Sequence, residues 1–261
     1  MAAGSIVQTI SEDTTRNAGI AYLTGVDRCR HGNMPDCAHC SVRDIAFCSV
    51  FDESEMESVQ ALAGSIELEA GRALFEQGDP LPHVYNVVSG TLRLFRLLAD
   101  GRRQITGFAR PGDFLGLNVG EETPFSAEAV TEVRLCRFQR RELETLSDRH
   151  PKLCHRILDL KNRELSRAQE QLVLLGRKTP MEKVATFLLQ ELEASAEPID
   201  SGGQAFDLHM TRSDIADYLG LTIETVSRTF TKLRQSQAIR LPRAERVEVD
   251  DLEILEDFSE H

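Results

Sequence analysis

The stretch Thr211-Arg212-Ser213-Asp214-Ile215-Ala216-Asp217-Tyr218-Leu219-Gly220-Leu221-Thr222-Ile223-Glu224-Thr225-Val226-Ser227-Arg228 decides how this chain is read. Thr211 followed by Asp214 makes a capping-box-like helix start, Ile215, Ala216 and Leu219 supply an inner face, and Gly220 supplies the stop. Thr222 then caps a second helix in which Ile223, Val226, Phe230 and Leu233 recur at spacings of three, four and three. Helix, glycine-containing turn, helix is the helix-turn-helix arrangement. The opposite face of the second helix gathers Glu224, Ser227 and Arg228. A plain i,i+4 surface pair between Glu224 and Arg228, worth ~0.2–0.5 kcal/mol, would account for the charges. It would not account for the cap, the turn and the flanking helix together.

Such a face directs its N-terminal residues into the major groove of double-stranded DNA. Arg228 can donate two hydrogen bonds to guanine O6 and N7, Glu224 can accept from cytosine N4, and Ser227 can approach a neighbouring base, a good bidentate pair being worth ~1–3 kcal/mol of discrimination. Arg212, Thr229 and Lys232 are better placed for phosphates, which position without specifying. From Arg240-Leu241 to Val247-Glu248-Val249 the pattern alternates like a small β-wing.

Charge agrees with a local docking face rather than a general nucleic-acid coat. The 261 residues carry a formal net charge of −12. From Asp207 to Arg246, however, seven Lys/Arg stand against five acids, a local balance of +2, and from Val247 onward there are seven acids and no Lys or Arg. The acidic remainder favours solubility and discourages nonspecific adhesion to DNA.

Working outward, residues 179–261 form the expected winged helix-turn-helix domain, entered by a helix from Thr179-Pro180 with Met181, Val184, Ala185, Leu188, Leu189 and Leu192 on one face. Residues 141–178 read as a dimerisation helix: between Arg140 and Lys178, Cys154, Leu158, Lys161, Leu165, Ala168, Leu172 and Leu175 follow at alternating spacings of four and three, a coiled-coil seam. Leu158, Leu165, Ala168, Leu172 and Leu175 are its expected interface and a homodimer its product; packing on its own domain is the other reading. Residues 29–140 hold a cysteine segment and a sensor domain. Its helix runs over Glu53–Ala63, and its short β-rich runs are Ala73–Phe75, Val84–Val88, Thr91–Phe95, Gln104–Phe108 and Val133–Cys136. Ser89-Gly90 and Asp100-Gly101 serve as turns, so an antiparallel β-roll fits best. The fold class is therefore α+β. Residues 1–28 lack an apolar period and read as a flexible leader.

The chain carries no signal-peptide pattern and no apolar run approaching the roughly 18 residues that span a bilayer, so a cytoplasmic protein with no membrane partner is expected. In a reducing compartment, closely spaced cysteines are metal ligands or redox groups more often than disulfides. Six cysteines occur, four of them between 29 and 48, and Cys37, Cys40 and Cys48 form a Cys-x2-Cys-x7-Cys array. Thiolates suit zinc or an iron-sulfur cluster, and a single Cys-x-x-Cys plus singles leans toward the second while leaving both open. His31 and His39 could join a zinc site. The fourth ligand comes from Cys29, Cys136 or Cys154, of which Cys154 reads as a small buried hydrophobe on the seam. No nucleophile-base constellation, phosphate-cradling loop or second cluster motif occurs, so an enzyme is not expected.

With these motifs in hand, the chain from about Cys29 to Val249 resembles the FNR branch of the CRP/FNR transcription regulators, most closely FNR-like oxygen sensors. The likeness lies in Gly90-Thr91, Gln104-Ile105-Thr106-Gly107-Phe108, Pro111-Gly112-Asp113 and above all the 211–228 block. It implies a cyclic-nucleotide-binding-like roll and an oxygen-labile [4Fe-4S] cluster on Cys37, Cys40, Cys48 and Cys136. It also implies a dimer stabilised by that cluster, with Glu224, Ser227 and Arg228 reading paired TTGAT half-sites, and RNA polymerase as a further partner. The seven-residue gap before Cys48 is longer than in the best-known members, and no proline closely follows Cys136. Cyclic-nucleotide receptors of the family use a Gly-Glu pair and a later Arg-Ser or Arg-Thr pair; Gly116-Leu117 and Phe125-Ser126 stand here instead, so no cyclic nucleotide is expected. A zinc-stabilised or cluster-free regulator without oxygen sensing is the alternative.

Overall fold

A computed structural model describes residues 37–117, 122–198 and 203–260. The expected leader, Cys29 and His31 lie outside the described residues. Two 3₁₀ turns, Cys37–His39 and Phe47–Val50, precede helix α1 (Glu53–Leu62). Helix α1 begins at a capping box: Asp52 accepts from the Glu55 amide at 2.9 Å, and the Glu55 carboxylate accepts from the Asp52 amide at 3.1 Å.

The roll then unfolds as β1 (Gly64–Leu68), β2 (Ala73–Phe75), β3 (His83–Ser89), β4 (Leu92–Leu97), β5 (Arg103–Ala109), β6 (Phe114–Leu115), β7 (Ser126–Ala129) and β8 (Val133–Gln139). They form two antiparallel sheets, ordered β1-β8-β3-β6 and β2-β7-β4-β5. The five expected β-runs all fall on strands, while β1, β6 and β7 are additional. The turn from β3 to β4 requires glycine: Gly90 has φ +82°, and a Cβ there would lie 2.1 Å from the Glu132 carbonyl oxygen.

Period-two alternation divides the first sheet between two cores. Tyr85, Val87, Leu115, Val133 and Leu135 face the interior of the roll. Val84, Val88, Phe114, Cys136 and Phe138 face outward, where the cysteine segment, α1 and the helices that follow the roll cover them.

The stretch read as one helix from Arg140 to Lys178 is two, α2 (Arg140–Arg149) and α3 (Pro151–Arg177). Pro151 disfavours helical geometry at the residue before it, and His150 takes φ −125°, ψ 85°. On α3, Leu158, Leu165 and Leu172 are 54, 58 and 70% exposed in the single chain, and Ala168 is exposed with them. Two seam residues depart from expectation. Leu175 packs instead on the C-terminal core, its Cδ2 lying 3.4 Å from where a Cβ on Gly220 would stand. Cys154, read as buried, is exposed on this chain.

The C-terminal domain comprises α4 (Pro180–Ser195), β9 (Glu197–Pro198), β10 (Gln204–Asp207), α5 (Arg212–Leu219), α6 (Ile223–Gln235), β11 (Ile239–Arg243), β12 (Arg246–Val249) and α7 (Leu252–Glu260). The β11–β12 hairpin is the expected wing, paired onward in the sheet β11-β12-β10-β9. Helix α7 was not expected; it rests against α4 with Leu255 wholly buried.

Candidate nucleic-acid interface and cysteine face

Helices α5 and α6 are set by their caps. Thr211 Oγ1 accepts from the Asp214 amide at 3.1 Å while Asp214 accepts from the Thr211 amide at 3.1 Å, and Thr222 Oγ1 accepts from the Thr225 amide at 3.2 Å. Gly220 closes α5 in the left-handed conformation, φ 62°. Burying Val226, Phe230 and Leu233 turns Glu224, Ser227, Arg228 and Lys232 outward, all exposed. Glu224 is held below the usual carboxylate range first by its own backbone amide, then by the Thr222 hydroxyl, with Arg228 contributing. It therefore faces outward as an acceptor.

Three residues of α5 and α6 differ from the sequence expectation. Thr229 is only 5% exposed and its hydroxyl donates to the Thr225 carbonyl at 2.8 Å, so it supports the helix rather than meeting a phosphate. The Arg212 guanidinium lies 3.4 Å from the centroid of the Phe230 ring, and burial pulls its pKa down to about 10. It bolts α5 to α6 through that ring contact. Ile223, assigned to the buried face, is 47% exposed, because the inner stripe begins only one turn later at Val226. Its apolar side chain joins the reading face, where a thymine methyl is the complementary group.

The reader is docked on the roll by residues that periodicity assigned only to strands. Asp214, 2% exposed, receives Arg103 Nη2 at 2.7 Å and Arg93 Nη1 at 3.2 Å, and Arg103 Nε donates to Asp217 at 2.8 Å. Gln104 Nε2 donates to the Asp217 carbonyl at 2.7 Å, and Phe108 stacks at 5.3 Å on Tyr218, which meets Phe187 of α4 at 5.8 Å. Gln171 of α3 donates to the Tyr218 carbonyl at 2.8 Å. Strand, long helix and reader thus converge on one end of α5.

Cys136 lies on the outer face of the first roll sheet, and the segment bearing Cys37, Cys40 and Cys48 packs against the same core. Phe47, fully buried, packs between Phe114, tilted at 4.9 Å, and Phe138, edge-to-face at 5.0 Å, which fixes its neighbour Cys48 against this core. Cys37, Cys40 and Cys48 all pack on the cluster that contains Cys136. The Cys40 amide donates to the Cys37 carbonyl at 3.5 Å. Burial pushes the Cys48 thiol up to about 11, with the nearby Cys40 adding to the rise and Arg43 and Arg156 opposing it. Arg156 of α3 clamps the segment from below, donating to the Ile45 carbonyl and, at 3.2 Å, to that of Ala46. Arg43 donates to the Phe51 carbonyl at 3.2 Å.

The donor set suits a thiolate-ligated centre in its chemistry: four sulfurs share one apolar face beside a buried amide oxygen, that of Asn86, with no partner. Among the described residues no three Cys, His, Asp or Glu side chains are already closed to metal-holding distances. Cys154, exposed on α3, is not in this group.

A double-sheet roll joined through a long helix to a winged helix-turn-helix defines a sensor-domain transcription regulator, and the comparisons give the family. Residues 65–150 match the cyclic nucleotide-binding domain model and residues 182–258 the Crp-like helix-turn-helix model. The chain is 45% identical over 190 residues to the nitrogen fixation regulation protein FixK of Bradyrhizobium diazoefficiens, covering 73% of this chain and 80% of the relative. It is 34% identical over 203 residues to the transcriptional activator protein FnrL of Cereibacter sphaeroides, covering 77% and 82%. The structure of FixK2 from Bradyrhizobium japonicum superimposes with a TM-score of 0.71 at 33% identity, over 76% of this chain and 98% of that one. This chain belongs to the CRP/FNR family of transcription regulators. It is a DNA-binding regulator and not an enzyme. No helix among the described residues is long and apolar enough to cross a membrane.

Proposed function

We propose that the protein is an oxygen-responsive transcription regulator that binds, as a homodimer, an inverted pair of TTGAT half-sites and works with RNA polymerase to control anaerobic or microaerobic genes. The observation that carries this reading is the packing of Cys37, Cys40, Cys48 and Cys136 on a single apolar face. These four residues would hold a [4Fe-4S] cluster, which when bound supplies an oxygen-labile link among four thiolates. Similarity to proteins named FnrL and Anr supports the assignment.

The chain's own residues provide the coupling. Arg156 ties the carbonyls between Cys40 and Cys48 to α3, the helix that presents Leu158, Leu165 and Leu172. A change in the path of the cysteine segment therefore acts on the helix whose leucines await a second copy. Covering what each of these leucines still exposes contributes about 1–2 kcal/mol. Joining two readers raises the apparent affinity for paired half-sites through effective concentration. In the reader, Arg228, Glu224 and Ser227 meet base edges and Lys232 a phosphate. A cyclic nucleotide is not proposed as effector: the Ser126 hydroxyl accepts from the Gln77 amide at 2.9 Å, and no arginine stands at Phe125-Ser126.

The test is to reconstitute the protein anaerobically with iron and sulfide, measure both together with its mass, titrate a labelled duplex carrying the paired half-sites, and then admit air. Cluster loss with a fall in affinity and in mass is expected. Unchanged affinity and mass reject the switch, and zinc near stoichiometry without iron or sulfide replaces it with the zinc-stabilised regulator.

A further inference from the structure

Asn86 stands where packing alone calls for an aliphatic side chain. It lies on β3 between Val84 and Val88, which both face the cysteine-bearing core, and it is only 2% exposed. In the antiparallel ladder Asn86 is the direct partner of Cys136 on β8, with Ser65 of β1 on that cysteine's other side and Phe114 of β6 beyond the asparagine. Directly opposed residues share a face, with Cβ atoms about 4.5–5.5 Å apart. The amide is poorly served there: Nδ2 reaches the Val87 carbonyl at a long 3.4 Å, and Oδ1 meets no partner among the described residues. The core on this face is otherwise apolar, built from Phe47, Phe114, Phe138 and the two valines, with the Cys136 thiol directly across the ladder. A buried polar side chain without a partner implies a missing group on that face.

We propose that Asn86 is a positioning residue of the cysteine face, its side-chain amide donating a hydrogen bond to sulfur at Cys136 when an iron-sulfur cluster is held there. The inference rests on the cluster assignment above and deepens it. A half-turn of the amide exchanges the orphaned oxygen for an N–H, which is the end that an anionic sulfur accepts from. Hydrogen bonds to cluster sulfurs withdraw electron density and raise the reduction potential, and partners of this kind orient the ligand they touch. Asn86 would thus set how readily oxygen oxidises the cluster without itself being a ligand.

The experiment compares wild type with Asn86→Val, which removes the amide while keeping a shape suited to a strand, and Asn86→Thr, which returns a hydroxyl donor to that shape. Each full-length chain is reconstituted anaerobically with iron and sulfide. Expected are similar iron and sulfide contents, a lower reduction potential for Asn86→Val, absorbance lost in air about 10-fold faster than in wild type, and partial recovery of both in Asn86→Thr. The metal-free Asn86→Val chain should melt no lower than wild type, which separates this role from a structural one. Should Asn86→Val fail to fold, Asn86→Ala takes its place in the same comparison. Equal potentials and equal decay in all three chains overturn the role of Asn86 while leaving the cluster intact. A wild-type chain that takes up no iron rejects the cluster assignment itself, and this inference with it.

Discussion

Arg103 Nη2 stands 2.7 Å from Asp214 Oδ1, so that a strand of the roll is pinned to the first helix of the DNA reader. The same carboxylate accepts from the Thr211 amide and receives Arg93 as well, which is itself paired with Glu128. One buried side chain therefore starts helix α5 and fastens it to the sensor domain.

Asp214→Ala removes the reciprocal half of the capping box, with Thr211 still the N-cap, and takes a buried carboxylate from Arg93 and Arg103, which keep Glu128 and Asp217. Removing one partner of a buried hydrogen-bonded group costs about 1–3 kcal/mol. Chemical denaturation should show a loss of that order. Arg103→Ala, which leaves Arg93 in place and removes a partly exposed partner, should cost clearly less. Equal and small losses would remove Asp214 from the centre of the interface.

The exposed row Leu158, Leu165 and Leu172 makes α3 the surface to disturb for assembly. Leu165→Glu should leave the single chain folded, since the side chain is already 58% exposed, and should abolish self-association in analytical ultracentrifugation. A dimer of wild-type strength in this variant would place the interface elsewhere.

On α6, Arg228→Ala should weaken binding to paired half-sites by about 1–3 kcal/mol and relax preference at a single guanine. Lys232→Ala should instead weaken all duplexes alike and reduce the salt slope by about one. Competition titrations at several salt concentrations separate the two patterns. Full selectivity in Arg228→Ala would exclude it from base reading.

His83 gives the roll an acid sensitivity. Burial, aided by Arg137, holds its imidazole below the usual histidine range, so the unfolded chain takes up a proton at a higher pH than the folded one. Stability is then complete above the ordinary histidine pKa and falls as pH drops through the lower folded value. Melting temperatures recorded from pH 7.5 to pH 5 should decline in wild type and decline less in His83→Gln.

The helix-turn-helix was legible because each boundary has a local cause: Thr211 and Thr222 as caps, Gly220 at positive φ, and a regular inner stripe. The roll was legible from five apolar runs, whereas β7, Ser126-Ala127-Glu128-Ala129, has little β-propensity of its own and is a strand because it lies between β2 and β4. The α2–α3 break was signalled by Pro151, which the heptad reading passed over. Thr229 was misassigned, and the ring contact of Arg212 missed, for a related reason. Polarity marked them as surface residues, but a hydroxyl can be satisfied by the preceding turn and a guanidinium by a ring. The contacts of Arg93, Arg103 and Gln104 with α5 join positions more than a hundred residues apart, and no period along the chain carries that information. Asn86 interrupts an apolar strand, and its place opposite Cys136 became visible only in the ladder register.

Arg156 grips oxygens of the main chain at positions 45 and 46, not their side chains. The hydrogen bonds of this tether therefore do not depend on the side chains at those two sites, within the space the buried Ala46 leaves, yet they depend on the number of residues between Cys40 and Cys48. Replacing Ala46 with another small residue should pass unnoticed by the helix, whereas inserting or deleting a single residue would slide the wrong carbonyl under the guanidinium. At the two gripped carbonyls it is length that this segment has to preserve.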